Sequence, residues 1–140
     1  MGNEAERAAT TALAKRILVV DDEPLVCDSV KWMLMSFGHE VEAVTSGEQA
    51  LALFEKNKFD LVIIDYIMPA MKGDALALNL RKRVATQPII MISASGDMLR
   101  SDRPLEGVDC IISKPFKIEE LRDIIAKFLP EKSRAGSASQ

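Results

Sequence analysis

This chain is organised around the stretch Leu61-Val-Ile-Ile-Asp-Tyr-Ile-Met-Pro-Ala-Met-Lys-Gly73. It begins as an unbroken apolar run, which is typical of a strand buried on both faces of a parallel sheet. The run stops at Asp65, and a short loop with Pro69 leads to Gly73 and a helical pattern. Open α/β sheets bind their ligands at the carboxyl ends of their strands. Asp65 is therefore either a ligand-facing carboxylate or only a turn residue, and this stretch alone leaves both interpretations open.

A second apolar run ends in the same way. Ile17-Leu18-Val19-Val20 is followed at once by Asp21-Asp22-Glu23. If both runs are parallel strands of one sheet, their carboxyl ends share an edge, and Asp21, Asp22 and Asp65 converge there. Clustered carboxylates raise one another's pKa unless a cation lies among them. Oxygen ligands of this kind suit Mg²⁺, which takes few protein carboxylates and completes its shell with water and phosphate oxygens.

Length and composition indicate one globular domain. The chain has 140 residues, 48% of them hydrophobic, with a net charge of −3 and a pI of about 5.2, so no basic surface favours nucleic acid. No apolar run approaches the roughly 18 residues of a membrane span, and Met1–Lys15 lacks the apolar centre of a signal peptide. Cys27 and Cys110 have no metal-like spacing and fall in apolar segments, which predicts buried free thiols in a reducing cytosol.

Strand and helix patterns alternate along the chain. Strands are expected at 17–20, 40–45, 61–65, 89–92 and 109–113. Helices are expected at 24–37, at 74–84, within 94–107 and at 118–129, and a further helix is expected to begin with a capping box at Ser46. Such alternation predicts a parallel sheet covered by helices on both faces. The chain contains no G-x-G-x-x-G after the first strand and no G-K-[ST], which argues against a Rossmann nucleotide fold and a P-loop NTPase.

Polar side chains then fall at the carboxyl ends of the expected strands: Asp21, Asp22, Asp65, Ser93 and Lys114. A metal-bound carboxylate beside a hydroxyl and a lysine is a working set for phosphoryl transfer. Asp65 would be the nucleophile and form an aspartyl phosphate, with Mg²⁺ neutralising charge on the transferring group. Lys114 would pair with one phosphoryl oxygen, and Ser93 would donate a hydrogen bond to another.

Together these residues resemble the receiver domain of two-component response regulators, of the stand-alone, chemotaxis-regulator-like kind. The matching motifs are Asp21-Asp22, the segment from Asp65 to Gly73, Ser93-Ala94 and Lys114-Pro115-Phe116. The likeness implies a flavodoxin-like α/β fold, a doubly wound five-stranded parallel sheet in the order 2-1-3-4-5 with five helices. We therefore expect a receiver domain at 16–130 between flexible tails at 1–15 and 131–140.

The resemblance also implies roles for the acidic residues. Asp65 accepts the phosphoryl group from a sensor histidine kinase or a histidine phosphotransfer protein. Asp22, Asp65 and the backbone carbonyl of Ile67 bind Mg²⁺ directly, whereas Asp21 acts mainly through water. Ile67 and Ser95 flank the path by which water would reach the phosphoryl group, and apolar Ile67 predicts slow self-dephosphorylation.

The same resemblance implies a switch rather than an enzyme, with only Mg²⁺-dependent self-phosphorylation and self-dephosphorylation as its chemistry. Ser93 and Lys114 sense the phosphoryl group, and the Lys114–Pro115 bond is cis in similar proteins. A downstream protein binds the face of the fourth helix, fifth strand and fifth helix. The domain would be a cytoplasmic monomer or weak dimer that binds neither nucleic acid directly nor a membrane.

The chain departs from the family pattern in three ways. Ile111 stands where the family has an aromatic switch residue, so the signal is expected to pass through the segment 94–107 instead. Pro104 predicts a short or interrupted fourth helix in that segment. No output domain follows in the 140 residues, which leaves open a stand-alone regulator or a domain excised from a larger regulator or hybrid kinase.

Two other functions stay open at this point. A haloacid-dehalogenase-like phosphatase also forms an aspartyl phosphate with Mg²⁺. Its D-x-D motif is absent from Asp21-Asp22-Glu23, however, and 140 residues leave no space for a cap domain. An interaction module that works without phosphorylation would not need the full set of polar side chains at the strand ends.

Overall fold

The structure, a computed structural model, describes residues 15–94 and 107–129. Its strands are β1 (Arg16–Val20), β2 (Glu40–Val44), β3 (Leu61–Asp65), β4 (Ile89–Ala94) and β5 (Cys110–Lys114). Its helices are α1 (Pro24–Ser36), α2 (Gly47–Lys56), α3 (Gly73–Arg83) and α4 (Ile118–Phe128). These elements were all predicted, and each predicted end lies within two residues of the observed one. The helix expected within 94–107 and nearly all of both tails lie outside the described residues.

The five strands form one parallel sheet in the order β2-β1-β3-β4-β5. The predicted flavodoxin-like, doubly wound α/β fold is therefore confirmed. The most apolar strand, β3, lies at the centre of the sheet and is buried along its whole length. The edge strand β2 is only half-buried, and Arg16 of β1 lies 3.8 and 3.9 Å from its carboxylates at Glu40 and Glu42.

Side chains of each inner strand alternate between two hydrophobic cores, because successive residues of a strand point to opposite faces. One core joins the sheet to α2 and α3, with Leu18, Ile64, Met91, Phe54 and Leu76 among its buried members. The other joins the sheet to α1 and α4, with Val19, Ile63, Ile90, Leu34 and Leu121 among its members. Because helices cover both faces of the sheet, a ligand can reach the sheet at its strand ends, where the polar side chains lie.

Local signals set the helix boundaries. Pro24 is the first residue of α1, where its missing N–H leaves no hydrogen bond unmade. Gly38, at φ 95°, ends the turn after that helix. The hydroxyl of Ser46 accepts a hydrogen bond from the N–H of Gln49, as the capping box predicts, whereas the Gln49 side chain accepts from Thr45. These caps place the start of α1 and the start of α2 at the same edge of the sheet as the ends of β1 and β2.

Both cysteines are free thiols, as predicted. Cys27 is buried, but the burial predicted for Cys110 is wrong, because this residue opens the edge strand β5 and is only half-buried. Among the described residues, no helix has both the length and the apolar character needed to cross a membrane.

Candidate functional site

Three carboxylates come together at the carboxyl edge of the sheet. Asp65 is the last residue of β3, and Asp21 and Asp22 follow β1 directly. Val20 is in register with Ile64, so Asp21 and Asp65 follow at the same level. One oxygen from each of the three carboxylates lies within 4.8 Å of the others. The predicted convergence of these residues is therefore present in the structure.

Lys114 reaches this cluster from the end of β5. Its Nζ lies 3.2 Å from Oδ1 of Asp65 and 3.8 Å from Oδ2 of Asp21. Pairing with β4 positions β5, with Ala94 in register with Lys114, and the Lys114–Pro115 bond is cis. The lysine side chain is 30% exposed, so its ammonium can pair with Asp65 and still face an incoming anion.

The electrostatics of the cluster favour a cation. Burial, and then the charge of Asp21, raises the pKa of Asp65 from 3.8 to about 6, although Lys114 opposes this change. Burial also raises the pKa of Asp21, against the opposing effects of the Glu23 N–H and Lys114. Burial lowers the pKa of Lys114, but Asp65 and Asp21 raise it by more. The site therefore holds negative charge that its own lysine only partly offsets.

An open cavity of about 210 Å³ lies over the cluster, and we call it the acidic cavity. Its walls are formed by Asp22, Glu23, Asp65, Ile67, Ala94 and Lys114. Glu23, Ile67 and Ala94 are exposed and form the rim, whereas Asp65 is buried at the base. Because one water takes up about 30 Å³ of liquid volume, the cavity has space for a phosphoryl group together with several waters.

Ser93 lies beside the cluster, but its hydroxyl is engaged elsewhere. It is buried near the end of β4, one residue after Ile92, which is in register with Asp65. Its hydroxyl donates to the carbonyl of Ala94 at 3.1 Å, and Ser93 is not one of the residues that line the acidic cavity. The structure thus groups the four charged residues of the prediction and leaves the serine hydroxyl turned to its own backbone.

Backbone contacts hold the loop that follows Asp65. The N–H of Tyr66 donates to the carbonyl of Ile92 at 2.8 Å, and the N–H of Gly73 donates to the carbonyl of Tyr66 at 2.9 Å. A Cβ at Gly73 would lie 2.5 Å from the carbonyl oxygen of Asp65, so a larger residue would displace the end of β3. Ala70, at φ 71°, adopts a left-handed conformation that few residues other than glycine populate. These contacts therefore fix the position of Ile67, the residue of this loop that lies on the rim of the acidic cavity.

The donor set fits Mg²⁺. Mg–O bonds of about 2.0–2.1 Å place octahedral ligands up to about 4.2 Å apart, and one oxygen from each carboxylate lies within 4.8 Å of the others. Burial raises the pKa of both Asp21 and Asp65, and a cation among these carboxylates would oppose that effect. Of these three residues, Asp22 and Asp65 line the cavity, whereas Asp21 does not.

Glu23 is a wall residue to which the sequence prediction gave no role. It is the N-cap of α1 but makes no side-chain cap hydrogen bond, and its N–H donates to Oδ1 of Asp21 at 2.9 Å. The residue is exposed and lines both the acidic cavity and a neighbouring groove of about 490 Å³. The groove lies between α1 and the segment after β5, and Lys114 also lines both spaces. The position of Glu23 directly after Asp21-Asp22 was the one feature of the sequence that could have indicated its place in the site.

Comparisons with known proteins identify the family of this chain. A family model described as the response regulator receiver domain matches residues 17–126. A transcriptional regulator of Cyanophora paradoxa named ycf27 is 38% identical over 116 residues, which are 82% of this chain and 48% of that protein. The chain spans about half the length of the curated relatives that it matches.

Two solved structures share both the fold and part of the sequence. The response regulator TrrA of Thermotoga maritima, in complex with Mg²⁺ and BeF, has a TM-score of 0.75 at 36% identity and covers 82% of this chain and 99% of its own. The receiver domain of a sensor histidine kinase of Pseudomonas aeruginosa has a magnesium ion coordinated in its active site cleft. It has a TM-score of 0.73 at 28% identity and covers 83% of this chain and 98% of its own.

Proposed function

The chain belongs to the response regulator receiver domain family of two-component systems, and on that premise we propose that it is a phosphorylation-controlled switch. Asp65 accepts a phosphoryl group from the phosphorylated histidine of a sensor histidine kinase or a histidine phosphotransfer protein. The observation that carries this proposal is the 3.2 Å contact between Asp65 and Lys114 within a cluster of two further carboxylates. That arrangement combines a nucleophile, a cation for phosphoryl oxygens and a place for a metal in one cavity.

The residues of the acidic cavity divide the work of phosphoryl transfer. Asp65 attacks the phosphorus from the base of the cavity, in line with the leaving nitrogen. Lys114 is close enough to move from the carboxylate to a phosphoryl oxygen as charge develops there. Mg²⁺ bound by Asp22, Asp65 and the carbonyl of Ile67, with Asp21 acting through water, would offset negative charge on the transferring group.

Ser93 couples phosphorylation of Asp65 to a change in the backbone at the end of β4. In the described structure its hydroxyl donates to the carbonyl of Ala94. After phosphorylation the hydroxyl turns to a phosphoryl oxygen and releases that carbonyl, at the point where the chain leaves β4. The downstream protein then binds the face that includes β5 and α4, the latter being the fifth helix of the expected fold. Ile111 and Ile118 on these elements are 41% and 38% exposed. Ile111 has no polar group, so it cannot exchange hydrogen-bond partners in the way a tyrosine does.

The domain works in the cytoplasm through protein partners. Its own chemistry is limited to gaining and losing the phosphoryl group on Asp65, and it does not bind nucleic acid directly. The curated relatives are named as transcriptional regulators, and this chain spans about half of their length. A contact with DNA in such proteins would then belong to the half that this chain does not match.

Beryllofluoride binding tests this proposal against its two alternatives. Calorimetric titration with Mg²⁺ and beryllofluoride should show one site in the wild type and none in Asp65→Asn, because beryllofluoride bound to the carboxylate mimics a phosphoryl group. Absence of binding to the wild type would favour an interaction module that works without phosphorylation. Steady turnover of a phosphate monoester by the same protein would favour a phosphatase.

A further inference from the structure

The rim of the acidic cavity carries one charged side chain among the residues that the structure describes. Of its three exposed wall residues, Ile67 and Ala94 are apolar, and Glu23 is a carboxylate. Phosphoryl transfer is in line, so attack by Asp65 from the base of the cavity directs the leaving group outward. The leaving group therefore passes the rim and meets the charge of Glu23.

The charge of Glu23 acts on Lys114 inside the cavity. It adds to the effects of Asp65 and Asp21 that raise the pKa of Lys114 against burial. Within residues 15–94 and 107–129, no ion pair within 4.0 Å includes Glu23. Its carboxylate makes no cap hydrogen bond to α1 either. Neither the helix nor an ion pair requires the charge of this side chain.

Phosphoryl donors differ in the charge of the group that leaves. In phosphoramidate, as in phosphohistidine with a protonated ring, the nitrogen bound to phosphorus belongs to a cationic group. When Asp65 forms its P–O bond, the P–N bond breaks and its electron pair stays on nitrogen, so neutral ammonia or imidazole departs without any further proton. In acetyl phosphate the P–O bond breaks instead, and its electron pair leaves on an acetate anion.

We propose that Glu23 sets the donor preference of this site, favouring donors with a cationic nitrogen leaving group and disfavouring acyl phosphates. This inference rests on the proposed function of Asp65 as phosphoryl acceptor. The carboxylate attracts the protonated nitrogen before transfer, and it repels an acetate that accumulates charge as it leaves. Glu23 acts here as a specificity-determining residue, and Asp65 remains the nucleophile.

The test compares two small donors on the intact chain, at saturating Mg²⁺. The rate of phosphorylation by phosphoramidate and by acetyl phosphate is measured for the wild type, Glu23→Gln and the control Asp28→Asn. Asp28 is an exposed carboxylate of α1 that lines neither the acidic cavity nor the neighbouring groove. The ratio of the two rates cancels any change in Mg²⁺ affinity or in the amount of folded protein.

Glu23→Gln should lower the ratio of phosphoramidate rate to acetyl phosphate rate by roughly fivefold, the effect of one charge acting over about 8 Å at an effective dielectric constant near 40. Asp28→Asn should leave the ratio unchanged. The difference between Glu23→Gln and wild type should also shrink as ionic strength rises, which a purely structural role would not produce.

The outcomes separate this inference from the proposed function. If both donors label the wild type and the ratio is the same in Glu23→Gln, the role of Glu23 is overturned while Asp65 stands as acceptor. An equal fall of the ratio in Asp28→Asn would overturn it too, because the effect would then belong to the net charge of the domain. If neither donor labels the wild type, the proposed function itself fails.

Discussion

The carboxylate of Asp65 is charged in a place where folding disfavours charge. Burial, reinforced by Asp21, raises its pKa from 3.8 to about 6 in the folded chain. The folded state therefore holds this proton more tightly than the unfolded chain does. The stability contributed by this carboxyl group is fully present below its unfolded pKa and is lost as the pH rises through about 6. At neutral pH without metal, the folded protein retains a buried charge that Lys114 only partly offsets.

Asp65→Asn removes that charge, so in metal-free buffer the variant should gain stability over wild type as the pH rises from about 4 to about 7. The gain in unfolding free energy should reach at most about 3 kcal/mol, the equivalent of two pKa units. Urea unfolding at several pH values measures it, with Asp28→Asn as a control for the loss of an exposed carboxyl group. A difference between variant and wild type that is independent of pH would contradict the shift.

Ile67 is expected to slow the loss of the phosphoryl group. It is 51% exposed on the rim of the acidic cavity, where the resemblance to receiver domains implies that water approaches, and it has no group that could orient a water. Ile67→Asn should therefore speed self-dephosphorylation, by about tenfold if it lowers the barrier by about 1.4 kcal/mol. Decay of the purified phosphoprotein with Mg²⁺ measures the rate, and Ile67→Val is the apolar control. An unchanged or slower decay in Ile67→Asn would count against this role.

Residue types in the sequence were enough to predict which charged side chains meet, but not the state of every side chain. Asp21, Asp22, Asp65 and Lys114 converge because parallel strands end at one edge of the sheet. The hydroxyl of Ser93 can turn to any acceptor within reach, so its bond to a backbone carbonyl carried no sequence signal. The left-handed backbone at Ala70 was equally hidden, since alanine rarely adopts it.

At the scale of single elements, the start of α3 depends on a contact that only glycine permits. A Cβ at Gly73 would meet the carbonyl oxygen of Asp65 at 2.5 Å and the Cα of Tyr66 at 2.9 Å, which are backbone atoms. A Cβ at Gly47, the first residue of α2, would meet the flexible end of Met71, with Sδ at 2.8 Å. The two glycines therefore form a matched pair that differs in whether the neighbour can move.

Gly73→Ala should lower the unfolding free energy by about 1–3 kcal/mol, in the range of other overpacked sites, and should slow phosphorylation because it displaces Asp65. Gly47→Ala should lower it by clearly less, since Met71 can change rotamer. Chemical denaturation and labelling with a small phosphodonor provide the two measurements. Equal stability losses in the two variants would mean that the carbonyl contact does not restrict α3.

Element types could be predicted because each has a local cause. Pro24 at the start of α1, Ser46 before α2 and the apolar run of β3 each act within a few residues. The predicted ends of β4 and β5 were one or two residues short, because backbone pairing continues through Ser93, Ala94 and Lys114 after the apolar run of each strand has ended. The helix expected within 94–107, with Pro104, lies outside the described residues, as does Ser95, so the signalling path through that segment stays a prediction.

At the scale of the whole molecule, strict alternation of strands and helices predicted the parallel sheet, but not the order of its strands. Strand order depends on contacts between distant parts of the chain, and the order 2-1-3-4-5 came from the resemblance to receiver domains. The predicted cover of helices on both faces is confirmed by two hydrophobic cores, one on each face of the sheet. The proposed metal ligands come together only when the sheet has formed, at the carboxyl edge of its strands. Mg²⁺ binding can therefore be tested through the stability of the whole domain.

Mg²⁺ should stabilise the whole domain through Asp22. A cation that binds only the folded state raises the unfolding free energy by about 2.7 kcal/mol at a concentration of a hundred times its dissociation constant. Asp22→Ala removes a ligand and also relieves repulsion in the cluster, so its metal-free stability should not fall while most of the Mg²⁺-dependent rise is lost. Thermal unfolding with and without Mg²⁺ measures both, with Asp28→Ala as the control. Retention of the full Mg²⁺-dependent shift in Asp22→Ala would contradict the proposed coordination.

Labelling of Asp65 by a phosphodonor is the most direct test of the central claim. The wild type, incubated with Mg²⁺ and a labelled small phosphodonor, should take up one phosphoryl group that survives acid and is released by base, as expected of an acyl phosphate. Asp65→Asn should take up none, while Asp28→Asn should match the wild type. Undiminished labelling of Asp65→Asn, or no labelling of a folded wild type that binds Mg²⁺, would contradict the account.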